Sequence, residues 1–186
     1  MSLDPARLSI TLALPLPLTL TLLAGCATDQ VVVAPSVPAA LAVPADEVLA
    51  YLWDARGVQI YSCQPSAADR THFAWHFKAP EANLFDAHGR RRARHYDGPT
   101  WQAEDGSTVV GAVQARDPGP DPTAIPWLLL SAAKTSGQGI LSGTVSIQRV
   151  ATSGGNAPAA GCAPAQQGEE LRVPYTAQYA FYKRRR

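Results

Sequence analysis

The chain has 186 residues, 17% charged and 46% hydrophobic, and its 16 Lys and Arg against 15 Asp and Glu leave a formal net charge of +1. That balance excludes the strong basic field of a nucleic-acid binder, and the length fits one globular domain. With 14 Gly, 16 Pro and 8% aromatic residues, the chain is rich in turns and shows no repeat at a solenoid or propeller period.

The first element in chain order is an address. Leu8 to Leu23 is apolar and runs into Leu23-Ala24-Gly25-Cys26. Shorter than the ~20 residues of a spanning helix and interrupted by Pro15 and Pro17, it reads as a secretory apolar region with a cleavage site. The Leu-Ala-Gly-Cys ending resembles a bacterial lipobox, which implies that Cys26 is acylated and opens a mature chain of 186 − 25 = 161 residues. Acyl chains bury apolar area at about 0.8 kcal/mol per methylene, so several on one cysteine hold a soluble domain at a membrane. Ala27 follows the cysteine where an Asp would mark inner-membrane retention; by resemblance to lipoprotein sorting, this implies the outer membrane, facing the periplasm. Residues 1–25 are thus expected to be a lipoprotein signal peptide. Residues 26–44, rich in Ala, Val and Pro, are expected to form an extended tether, and residues 45–186 a single domain.

Within that domain, Val48 to Trp53 and Val58 to Cys63 flank Ala55-Arg56-Gly57 and predict a hairpin. In the second of these strands, period two places Gln59, Tyr61 and Cys63 on one face. Thr71 to Lys78 alternates Phe73, Trp75 and Phe77 with polar or small residues, a half-buried strand that Pro80 should end. The run Arg90-Arg91-Arg92-Ala93-Arg94 leads into His95 to Gly111, the densest stretch of turn chemistry and aromatic anchoring. There Gly98-Pro99 fixes a bend, and Asp105-Gly106 is a favoured tight turn before the strand from Ser107 to Gln114. Asp117 to Pro122 breaks that strand into a loop. Trp127 to Leu130 suits a buried strand or one helical turn, Thr144 to Gln148 alternates as a strand, Ser153 to Gly168 is a loop, and Tyr175 to Tyr182 is a last strand. Short strands divided by turns, with no long 3.6-residue period, predict an all-β fold, an antiparallel sandwich or barrel with long loops. With Cys26 lipidated, Cys63 and Cys162 remain as an even pair in an oxidising compartment and are expected to be bridged.

Gly57-Val58-Gln59-Ile60-Tyr61-Ser62-Cys63, Gly98-Pro99-Thr100-Trp101, Asp105-Gly106-Ser107 and Ile125-Pro126-Trp127, in that order, resemble the motifs of the domain of unknown function 3455 family over Val43 to Tyr182. The resemblance implies no activity, since the family has none assigned. Some relatives carry a malate dehydrogenase label, against which Gly137-x-Gly139-x-x-x-Gly143 is the relevant test. A dinucleotide loop needs a following helix; a strand follows here, so no nucleotide cofactor is expected and the glycines read as turn and bulge.

His72 and His76 would share a metal on a helix, but on a strand they stand about 13 Å apart, so no metal site is expected. Gln59, Tyr61, His95, Tyr96, Trp101 and Trp127 are residue types that line a pocket, with aromatics for area and a few polar groups for direction. Arg90, Arg91, Arg92 and Arg94 offer a face for phosphate-bearing envelope glycolipid or polymer, or form a solvated hairpin face. The sequence therefore points to a lipid-anchored envelope binding or structural module. The alternative is an envelope hydrolase in which His95 (or His88) acts as base with Asp97 or Asp105 and Ser107.

Overall fold

The computed structural model describes residues 32–185; the expected signal peptide, residues 1–25, and Cys26 lie outside them. Eight strands follow one another: β1 (Glu47–Pro65), β2 (Phe73–Phe85), β3 (Arg91–Tyr96), β4 (Thr100–Ala103), β5 (Thr108–Asp117), β6 (Trp127–Ser136), β7 (Thr144–Gly154) and β8 (Glu170–Arg184). Each pairs antiparallel with the next, and β8 returns to β1, so the sheet closes into an up-and-down barrel. Of the two architectures open from sequence, the barrel is the one formed; the first half of β2 and the end of β5 extend beyond the short β3 and β4 that pair with them.

The expected hairpin at Ala55-Arg56-Gly57 is not formed. β1 runs straight through as a 19-residue strand, paired on one side with β8 and on the other with β2. Gly57 is needed for proximity: a Cβ there would stand 2.1 Å from the Glu81 carbonyl oxygen on β2. Pro80 does not end β2 either. It sits opposite Gln59 beside a register shift at Ile60/Tyr61, and such a bulge tolerates a residue with no N–H to give the ladder. Trp127 to Leu130 is strand, the first part of β6.

Period two fills the interior. Trp53, Leu84, Ala93, Val109, Ile147 and Phe181 form a continuous buried cluster, with Trp53 packed on Phe181 at 4.9 Å between centroids. One end is plugged by the β6–β7 connection, whose Leu141 is buried. The turn between β4 and β5 holds that plug: Asp105 accepts the Ile140 N–H at 2.7 Å and Ser107 Oγ accepts the Leu141 N–H at 3.1 Å. Hydrogen bonds donated by the Ser107 hydroxyl and the Ile140 N–H keep the Asp105 carboxyl below its usual range.

Outside the barrel, residues expected to belong to the tether pack as part of the domain. A single 3-10 turn, Ala39–Leu41, buries Leu41 completely, and the Leu41 carbonyl accepts the Gln148 side-chain amide at 2.7 Å. Tyr182 donates to the other end of that amide at 2.7 Å. The polar face of β7 is thereby covered, and Gln148 is only 1% exposed.

Cys63 and Cys162 are bridged, as expected, across a sequence separation of 99. In the chain-entropy model a loop of about that length stabilises by at most ~4.7 kcal/mol. The bridge ties the 155–169 loop to the end of β1, where Cys63 also exchanges backbone hydrogen bonds with Gly168 and Glu169.

Candidate functional site

The end opposite the plug is not filled. Side chains that alternate inward there enclose a cavity of about 510 Å³, within the range of small-molecule pockets. Its walls come from Phe77, Pro80, Pro99, Val113, Ile125, Leu128 and Leu130, and its polar groups from Gln59, Tyr61, His95, Arg149 and Tyr179. Asp97, Arg116 and Asn156 are exposed liners.

Trp101 is the centre of this wall. Its indole stacks on the His95 ring at 4.3 Å and 6° between planes, and meets Tyr179 edge-on at 5.3 Å. It fits because Gly111 stands opposite: a Cβ there would lie 2.9 Å from the indole. His95 is buried, 3% exposed, and its Nδ1 donates to the Thr100 carbonyl at 2.9 Å. A carbonyl can only accept, so Nδ1 carries the proton and Nε2 is a bare acceptor. Burial, with the nearby positive charge of Arg149, depresses the His95 pKa to about 3 against the pull of the Thr100 carbonyl, so the ring is neutral. Burial likewise raises Tyr61, Tyr175 and Tyr179, which stay protonated. The Tyr61 hydroxyl donates to the Gly155 carbonyl at 2.6 Å, which draws the loop after β7 over the mouth.

Two cavity-lining side chains carry a buried N–H that makes no hydrogen bond of good geometry, Trp101 Nε1 and Gln59 Nε2, the latter beside the Tyr175 hydroxyl. Leaving such a donor unmet costs on the order of 1–3 kcal/mol. Arg149 is also buried, 9% exposed. Its Nε and Nη2 donate to the Pro126 carbonyl at 3.1 and 2.8 Å, and the Tyr179 hydroxyl lies beside it. Among the described residues no carboxylate lies within ion-pair distance of it.

Of the six pocket residues proposed from sequence, Gln59, Tyr61, His95 and Trp101 meet in this cavity. Tyr96 lies on the outer wall with the Arg94 guanidinium 5.6 Å above its ring, and Trp127 packs over Gly119. Arg149, Tyr179 and the Leu128/Leu130 wall were not read from sequence as site residues.

The hydrolase arrangement is not assembled. His95 pairs with Trp101 at the open end, whereas Ser107 is at the plug, two strands across and two residues along, on the order of 10 Å away. Ser107 donates to Asp105 at 2.6 Å and is spent on the plug, and the neutral His95 bonds a backbone carbonyl, not a carboxylate. His72 pairs with Asp69 in a surface turn, and no cluster of three metal-ligating side chains occurs among the described residues. Gly137, Gly139 and Gly143 lie in the β6–β7 connection, which leads into a strand.

Each arginine of the basic run has a partner on the barrel. Arg90 and Arg92 face Asp86, Arg91 bonds Glu104 at 2.7 Å, and Arg94 bonds Gln102 at 2.7 Å.

Fold and site define an eight-stranded antiparallel barrel, plugged at one end and hollow at the other. Residues 44–183 match the family model described as a protein of unknown function (DUF3455), and the chain belongs to that family. No curated protein and no solved structure matches it.

Proposed function

We propose that this protein is a lipid-anchored binding module of the bacterial cell envelope, whose barrel takes up a small, largely apolar molecule through its open end. The observation that supports the binding reading most is the combination of a cavity of about 510 Å³ with lining N–H groups that the protein leaves unmet. A fold that only needed a core would have filled that volume, since interiors pack to crystal-like density. The anchor rests on Leu23-Ala24-Gly25-Cys26 and would hold the module at the outer membrane, facing the periplasm. Arg90, Arg91, Arg92 and Arg94 would offer envelope glycolipid or polymer a contact only by giving up their present partners.

Titration with the neutral fluorophore N-phenyl-1-naphthylamine tests the cavity. We expect saturable binding to the native chain and at least a tenfold weaker response in Val113→Trp, because Val113 lines the mouth and is 38% exposed, so a larger side chain can enter there without disturbing the core. Absence of saturable binding, or identical binding by the variant, would argue against it. For the anchor, the native protein should partition into the detergent phase of a Triton X-114 extraction and Cys26→Ala into the aqueous phase; equal partitioning would refute lipidation.

A further inference from the structure

We propose that the cavity selects a molecule with an apolar body and a single carboxylate, and that Arg149 is the residue that receives the carboxylate. This rests on reading the cavity as a binding site and names the class of its occupant.

A guanidinium has five N–H donors, and burying it without a counter-charge is costly unless something compensates. In β7 Ile147 points into the core cluster and Arg149, two residues on, lines the cavity, so the charge is placed among apolar side chains by the same alternation that builds the core. The Pro126 carbonyl takes one hydrogen from Nε and one from Nη2. That leaves three N–H groups, two on Nη1 and one on Nη2, with the Tyr179 hydroxyl as their neighbour; the end-on pair among them, one N–H from each terminal nitrogen, has the parallel geometry that matches the two oxygens of a carboxylate. The neighbouring groups have the same preference. Trp101 contributes an N–H donor without an acceptor, and Gln59 one whose neighbour is the Tyr175 hydroxyl.

The balance of charge fixes the valence. The charged liners are Asp97 and Arg116, both exposed, and the buried Arg149. They leave one uncompensated positive charge inside, which a monoanion neutralises. A phosphate dianion would leave surplus negative charge buried. The remaining wall, Phe77, Ile125, Leu128 and Leu130, is apolar and accepts the body of the molecule.

Two probes of one shape separate the charge from the fit: 2-naphthylacetate and its primary amide, titrated calorimetrically into the purified full chain. We expect the carboxylate to bind at least about tenfold more tightly than the amide, the span of a buried hydrogen bond to a charged group. In Arg149→Met that preference should fall to about one while amide affinity is retained; in Arg149→Lys, which keeps the charge without the planar fork, part of it should survive. If the native chain binds both probes alike, the carboxylate assignment is wrong and the cavity reading stands. An unchanged preference in both variants also overturns the role of Arg149. Should neither probe bind the native chain, both readings fail. If Arg149→Met does not fold by circular dichroism, the native preference and the Lys variant decide.

Discussion

His95 shows how one buried side chain sets a pH response. Its folded-state pKa is depressed from 6.5 to about 3, chiefly by burial, so as pH falls the unfolded chain takes the proton first. The stability tied to neutral His95 is complete above about pH 6.5 and is lost between there and about pH 3, at up to ~1.4 kcal/mol per pH unit. Between pH 7 and pH 5 the native protein should lose about 2 kcal/mol more than His95→Gln, which keeps a neutral donor toward Thr100. Urea denaturation at the two pH values measures this, and equal losses would show that the ring is not held neutral by the fold. At this scale the sequence was informative where chemistry follows from period two. Gln59 and Tyr61 share a face with each other, and both line the cavity. Arg149 was equally readable as a charge in line with Val145 and Ile147, yet a strand pattern alone does not say which face is closed in. Trp127 and Tyr96 have the composition of pocket residues, and only the course of the loop around Gly119 and the outward turn of β3 exclude them.

At the scale of elements, the corrections share a cause. Ala55-Arg56-Gly57 and Pro80 have the local chemistry of breakers, but the ladder to β8 and β2 overrides it, because long-range pairing supplies hydrogen bonds that a local turn would forgo. Gln148 belongs to the polar side of the alternation from Thr144 to Gln148, and in the barrel it lies under the Ala39–Leu41 turn. Nothing in an Ala- and Pro-rich stretch announces that one leucine will be fully buried. Leu41→Ala should therefore lower stability by about 2–5 kcal/mol, the cost of truncating a buried leucine. A thermal or urea midpoint unchanged from the native protein would mean that residues 39–41 are tether after all.

For the molecule as a whole, the all-β class was legible because alternation and Gly, Pro or Asp turns recur along the chain; the strand count was not, since β1 reads as two strands and β3 and β4 lie in the arginine run and the turn-rich stretch. Closure was not, since the β1–β8 pairing joins residues more than a hundred positions apart and no local signal encodes it. Closure is what makes a site. One end is stopped by Asp105, Ser107 and Leu141, the other is spanned by a loop tied down through Cys63–Cys162, and a cavity is left beneath that loop. The most direct measurement is the set of indole N–H signals of the four tryptophans in a proton–nitrogen NMR spectrum, assigned by single Trp→Phe substitutions and followed during titration with 2-naphthylacetate. We expect the Trp101 signal to move to lower field and saturate as its unmet N–H gains an acceptor, while Trp53, packed in the filled half, stays in place. A Trp101 signal that does not respond while the probe binds elsewhere, or a spectrum that does not change at all, would contradict a ligand site in the hollow half of the barrel.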